Sequence, residues 1–223
     1  MRYHRVTEAI FLERKNRFIG TVSIDGREEI CHIKNTGRCR ELLLRGATVY
    51  VERAENPNRK TQYDLIAVQK GDRLINMDSQ APNQAVAEFL HKQFPTAEIR
   101  PETFFGDSRF DFCVRGSQRT VFVEVKGVTL EEDGVVRFPD APTERGIKHL
   151  YGLMECVRQG FDACVLFVIQ MKGVRYFTPN DDTHAAFGQA LREAHAAGVR
   201  ILAMDCLVTP EEMTLCDEVE VRL

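Results

Sequence analysis

Residues 108–128 read SRFDFCVRGSQRTVFVEVKGV, and the way this stretch folds decides the second half of the chain. Two runs rich in aromatic and β-branched residues flank the polar segment RGSQRT (115–120), which predicts a pair of strands joined by a turn. Side chains alternate along a strand, so Glu124 and Lys126 share one face and Val123 and Val125 the other. By the same rule Asp111 shares a face with Arg109 and Cys113, opposite Phe110 and Phe112. Pairing across the turn brings Asp111 beside Glu124. Strands this apolar are buried, and two acids and a lysine on them need compensation from one another or from a metal.

Mg²⁺ or Mn²⁺ suits such a place, since hard cations take carboxylate, carbonyl and phosphate oxygens. The expected ligands are Asp111, Glu124 and the Val125 carbonyl, with Lys126 positioned to orient an attacking water at a phosphate that the metal polarises. Glu102, in RPETFFGDSR, and Glu88, on the preceding helix, are further candidate ligands. A Glu-x-Lys tripeptide alone is common and usually a solvated pair of little energetic weight. The twelve residues separating Asp111 from Glu124, and a helix ahead of both, turn the reading toward a catalytic-type site of Asp111, Glu124 and Lys126.

Downstream, VRFPDAPTERGIKHL (136–150) brings Asp140, Thr143, Arg145, Gly146, Lys148 and His149 to the entry of a helix. Arg145 and His149 are four apart, hence on one helical face, with Lys148 adjacent. A helix start favours anions, and these cations reinforce it, so the segment is expected to contact a phosphate backbone.

The rest of residues 81–223 alternates helical and apolar strand patterns. APNQAVAEFLHKQF (81–94) has apolar positions at helical spacing; APTERGIKHLYGLMECVRQG (141–160) is a second helix with Thr143 as N-cap and Gly160 as stop; NDDTHAAFGQALREAHAAG (180–198) is a third. DACVLFVIQ (162–170) and VRILAMDC (199–206) read as buried strands. This order implies an α/β domain with a mixed central sheet covered by helices.

Residues 1–80 have a different grammar. Short strands (AIFLER, RFIGTVSID, REEICHIKN) are followed by NTGRCRELLLRG, read as a turn at Asn35-Thr36-Gly37 and a short helix over RCRELLLR ending at Gly46. ATVYVERA, YDLIAVQKG and RLINMDS add strands, and Asp25-Gly26 is a hairpin signal. The pattern fits a small five-stranded barrel of the OB type, an architecture that often binds oligonucleotides. Arg14, Lys15 and Arg17, then Lys34, Arg38 and Arg40, then Arg59 and Lys60, form basic clusters able to track a phosphodiester backbone. Tyr3, Phe11 and Phe18 could stack on bases, although a core position suits them better.

Charge agrees with two units: residues 1–80 carry 15 Lys and Arg against 11 Asp and Glu, and residues 81–223 carry 15 against 22. The overall net charge of −3 excludes a wholesale basic nucleic-acid binder. No apolar run approaches the roughly 20 residues of a membrane span, and charges interrupt the N-terminal apolar stretch too early for a signal peptide. Seven cysteines with no CxxC pair read as reduced thiols of a cytoplasmic protein. An exposed sheet edge or the C-terminal EVEVRL strand could serve a homodimer.

NTGRCRELL, GDSRFDF, VEVKGVTL and FPDAPTERGIKHL together resemble the motifs of the sugar fermentation stimulation protein A family, nearly end to end. The resemblance implies an OB-fold (1–80) followed by a restriction-endonuclease-like domain (81–223) of the PD-(D/E)xK type. It implies DNA bound without sequence preference and a regulatory role at sugar, notably maltose, utilisation genes. Within it Asp111 corresponds to the first acidic ligand and Glu124 with Lys126 to the ExK pair. Ser108 and Arg109 belong to the SRxDF motif, and Asp140, Thr143, Arg145, Gly146 and His149 to the second motif. Gly127 stands where a small polar residue is common, a departure expected to leave the site unaffected. The alternative within the same superfamily is an active endonuclease on DNA, RNA or a branched structure.

Overall fold

The computed structural model describes residues 1–35, 37–56 and 58–223. Strands β1 (Val6–Arg14), β2 (Ile19–Ile24), β3 (Arg27–Ile33), β4 (Thr48–Arg53), β5 (Tyr63–Lys70) and β6 (Arg73–Asn76) build the first unit. Asp25 and Gly26 both adopt left-handed backbone (φ 49° and 76°), which a two-residue turn matched to strand twist requires, and so β2 turns into β3. The order β3-β2-β1-β4-β5-β6, with β3 also pairing with β5, closes a five-stranded barrel of OB type and leaves β6 outside it.

RCRELLLR is not a helix. It holds only isolated turns: the Leu42 and Leu43 N–H groups reach back to the Cys39 carbonyl (3.3 and 3.0 Å). Cys39 is left-handed (φ 44°) and, with Leu42, is buried in the barrel core, so the segment is pinned before a helix can propagate beyond its costly first turn. The turn expected at 35–37 includes Thr36, which lies outside the described residues.

The second unit opens with helix α1 (Ala81–Gln93), whose Pro82 stands in the first turn where its missing N–H costs nothing. Strands β7 (Glu98–Phe105), β8 (Ser108–Arg115) and β9 (Thr120–Val128) follow, then the short β10 (Glu131–Glu132) and β11 (Val135–Phe138). Helix α2 (Glu144–Arg158) begins at Thr143, whose hydroxyl accepts the Gly146 N–H at 3.0 Å. Then come β12 (Asp162–Ile169), β13 (Tyr176–Pro179), α3 (Asp181–Ala196), β14 (Arg200–Thr209), β15 (Glu212–Glu218) and β16 (Glu220–Val221). The main sheet has the order β15-β14-β12-β9-β8-β7; β9, β12 and β14 run parallel, while the outer pairings are antiparallel. A small sheet, β10-β11-β13-β16, lies beside it, and the EVEVRL segment is taken up there through β16.

Apolar packing runs across both units, with Phe11, Val49 and Leu65 of the barrel in the same core as Phe110, Phe167 and Phe187. A second core under α1 includes Met1, Tyr3 and Ile66 beside Val86, Val123 and Val125. Polar contacts pin the seam. Buried Glu131 takes Lys70 and Arg73 from the barrel; burial pushes its carboxyl up, but these cations and the Gly134 N–H hold it below the usual range. Gln170, at the end of β12, donates to the Asn76 carbonyl (3.1 Å), Asn76 Oδ1 (2.9 Å) and the Asp78 carbonyl (3.1 Å).

Candidate metal and phosphate site

The β8–β9 hairpin forms as the sequence predicts, in the register Phe112↔Val123, Cys113↔Phe122 and Val114↔Val121. Strict alternation on β8 fails at Asp111. Phe110 packs with Cys113 and Phe122 in the core beneath α2, whereas Phe112 and Val114 pack in the core beneath α1. Glu102, flanked by pairs Pro101↔Phe112 and Thr103↔Phe110 on β7, is left-handed (φ 48°), and the irregularity falls there. Asp111 lies just beyond the last β8–β9 pair; its Oδ2 accepts the Val125 N–H at 2.7 Å and its Oδ1 accepts the Asn83 amide of α1 at 2.8 Å.

Glu124 points to the α2 side of the sheet and is buried. Its Oε1 accepts Lys126 Nζ at 2.5 Å and is also hydrogen-bonded to His149 Nδ1. His149 Nε2 lies 3.5 Å from Arg145 Nε, on the side of the ring away from Glu124. Glu124 Oε2 has no partner; it and Thr21 Oγ1 are the only buried side-chain polar atoms so left among the described residues. An orphaned carboxylate oxygen is costly in a sheet core unless something binds it.

The two acids are driven apart electrostatically. Burial pushes Asp111 up, and the neighbouring Glu124 carboxylate adds to this against the Val125 N–H and Asn83, so its pKa is raised. Burial also pushes Glu124 up, but the His149 hydrogen bond and the Lys126 charge prevail and its pKa is lowered. A divalent cation between them would remove the repulsion, and the donors on offer, two carboxylates with one free buried oxygen, are the hard oxygens that Mg²⁺ or Mn²⁺ prefers.

Asp111, Glu124, Val125, Lys126, Arg145, Gly146, Thr143 and His149 all line one polar cleft of about 260 Å³, together with Ser79, Asn83 and Gly127. The other expected residues lie elsewhere. Glu102 is exposed and pairs with Arg109 at 3.3 Å, outside the cleft lining. Glu88 holds the N-terminal ammonium at 2.7 Å. Lys148 faces a separate groove with Ser108, Phe105 and Gly152. Ser108 is buried against α2, where a Cβ on Gly152 would come within 2.5 Å of its hydroxyl, so this motif serine seats the helix. Lys34 is occupied by buried Asp78 at 2.5 Å. Arg17, Arg38 and Arg40 surround a hollow on the barrel with Arg14. Asp140 accepts the Arg38 N–H at 3.2 Å and so ties the barrel loop to the second unit. Tyr3 and Phe11 are core residues, while Phe18 is exposed.

Gly127 is not neutral. A Cβ there would sit 2.6 Å from Gln170 Oε1 and 2.9 Å from Pro82 Cγ, so only glycine allows the end of β9 to pass between α1 and the seam. Sequence reading also missed Asn83 as the partner of Asp111. His149, expected at a phosphate, lines the cleft and gives its Nδ1 to Glu124; the Arg145–His149 spacing marks the correct helical face without revealing the acid that face meets.

Comparisons with known proteins cover both units. The model of the SfsA N-terminal OB domain matches residues 12–77, and that of the sugar fermentation stimulation protein RE domain matches residues 80–212. The chain is 56% identical to the sugar fermentation stimulation protein homolog of Desulfitobacterium hafniense (strain Y51), over 100% of this chain and 99% of that one. It is 51% identical to the homolog of Clostridium beijerinckii, over 100% of both. Among solved structures, Pyrococcus furiosus SfsA in complex with Ca²⁺ is similar with a TM-score of 0.88 and 28% identity, covering 100% of this chain and 98% of that one.

Proposed function

The chain belongs to the sugar fermentation stimulation protein family, and we propose that it binds DNA through its phosphate backbone at a divalent-cation site of the nuclease type. The observation that carries this reading is the buried, unpartnered Glu124 Oε2 beside an Asp111 whose charge the site disfavours. Asp111 and Glu124, with the Val125 carbonyl, would hold Mg²⁺ or Mn²⁺; the Ca²⁺ bound by the Pyrococcus furiosus relative supports a divalent cation in this family. When bound, the cation supplies positive charge that neutralises and polarises a phosphate.

The chain's own groups do the rest. Arg145 lines the cleft at the first turn of α2, where the helix dipole also favours an anion. Val125 and Asn83 fix the Asp111 carboxylate, and His149 fixes Glu124, so both acids are held before any ligand arrives. Phosphate contacts carry no sequence information, which suits DNA bound without preference; a regulatory role at sugar (maltose) utilisation genes rests on the family resemblance alone.

Hydrolysis is the second reading, favoured by Lys126 Nζ in the cleft, 2.5 Å from one acid. There it would hold and orient a water for attack. Incubating the protein with plasmid, single-stranded DNA and RNA in Mn²⁺ tests both. Binding that weakens steeply with salt supports the first reading, and no binding to any of the three refutes it. Cleavage abolished by Lys126→Ala while binding persists establishes the second; intact substrates under all conditions exclude it.

A further inference from the structure

Three adjoining hollows follow the seam between the units. The first, about 540 Å³, lies on the barrel among Arg14, Arg17, Arg38 and Arg40, with Ala141 of the second unit on its far wall. The second, about 180 Å³, is bounded by Asn35, Gly37, Asp140 and Gln170. The third is the acidic cleft. Gly37 borders the first and second, and Ser79 and Gly127 border the second and third.

The barrel end is built to attract anions. The Arg14 guanidinium is consumed by backbone carbonyls, those of Arg38 (2.6 Å), Arg17 (2.7 Å), Gly37 (3.1 Å), Asn35 (3.2 Å) and Asn16 (3.3 Å). It folds two loops around itself and so sets Arg17 and Arg38 about one hollow. Arg38 and Arg40 are exposed and enter no ion pair among the described residues. Guanidinium groups left without carboxylates suit phosphate oxygens.

The middle hollow is small and accepting. At about 180 Å³ it is the smallest of the three hollows, a size that suits one unstacked base better than a base pair. Asp140 Oδ1 and Gln170 Oε1 line this region without a hydrogen-bond donor among the described residues. Free acceptors of this kind match the amino edges of bases, which pairing occupies in a duplex.

We infer that the three hollows are the path of one unpaired DNA strand, with its phosphates on the barrel arginines, one base in the seam and the next phosphate in the acidic cleft. This rests on the nucleic-acid reading of that cleft and names its substrate form. Binding of a labelled 15-nucleotide strand to the full chain, followed by fluorescence anisotropy, is compared with the same sequence folded as a blunt hairpin. The strand binds at least tenfold more tightly. Arg38→Ala/Arg40→Ala weakens strand binding about tenfold and lowers the salt slope by about 1.4, at roughly 0.7 per phosphate contact. A 4-thiothymidine moved stepwise along the strand cross-links first to 38–43, then to 128–140, then to 143–149. Equal or tighter binding of the hairpin, or cross-links away from these segments, overturns the strand path and leaves the phosphate site standing. Failure of both forms to bind removes the nucleic-acid reading itself.

Discussion

Substituting Gly127 by alanine adds one methyl group at the place where the acidic cleft meets the seam. The added Cβ would lie 2.6 Å from Gln170 Oε1 and 2.9 Å from Pro82 Cγ. Gln170 cannot simply swing away, because its amide nitrogen is fastened to Asn76 and Asp78 by three hydrogen bonds. Losing two of them costs about 2 kcal/mol at roughly 1 kcal/mol each, and crowding against the rigid proline adds about 1 kcal/mol. A loss of about 3 kcal/mol lowers the melting temperature of a chain this size by roughly 6–12 °C. Calorimetry of Gly127→Ala, Gln170→Ala and the double variant reads the effect directly. In the Gln170→Ala background the obstacle is gone, so the alanine at 127 should cost less than half as much there. A melting temperature within 2 °C of the parent, or the same cost in both backgrounds, would refute the account of this junction.

Asp111→Asn removes a charge that burial and Glu124 already disfavour. Because the folded-state pKa of Asp111 is raised, its proton stabilises the fold below the ordinary carboxylate pKa, and that contribution is lost as pH rises through the folded value. The variant should therefore melt no lower than the parent at neutral pH without metal, while losing the stabilisation of about 2.7 kcal/mol that saturation at a hundredfold excess over Kd gives the parent; a variant that is still stabilised by Mn²⁺ contradicts the ligand assignment. Glu124 has the opposite sign. Its lowered pKa makes a contribution that is full above the ordinary carboxylate pKa and lost as pH falls through the folded value, so acid titration of stability should flatten in Glu124→Gln, and an unchanged profile would show the cluster to be energetically idle. Thr143→Ala loses the cap on Gly146 and should cost about 1 kcal/mol, or roughly 2–4 °C, with no loss meaning that α2 is fixed by packing alone.

What the sequence disclosed followed from short-range rules. Asp25-Gly26 demanded its turn, Thr143 and Gly160 bounded their helix, and the apolar run 162–169 became a buried central strand. The site was half legible. Glu124 and Lys126 are two apart on one strand, so their shared face was settled by backbone geometry alone. Asp111 was placed in the correct hairpin and near Glu124, but strict alternation did not foresee the irregularity opposite Glu102, which puts Phe110 and Cys113 in one core. RCRELLLR misled for a related reason: a helical pattern only eight residues long competes with burial of Cys39 and Leu42, and burial prevails. The roles of Asn83, Gln170 and Gly127 depend on elements that meet only in the folded chain, and no local pattern marks them. Lys34 looked like a free cation until Asp78, 44 residues away, neutralised it.

The proposed role of Asp111 and Glu124 is a cation site through which DNA phosphate is held. Its most direct test is DNA affinity at fixed ionic strength, measured with Ca²⁺ and with chelator, for the parent and for Glu124→Gln. Ca²⁺ should raise the parent's affinity about tenfold, near 1.4 kcal/mol, and leave that of the variant unchanged. An equal gain in both proteins, or none in the parent, would contradict it.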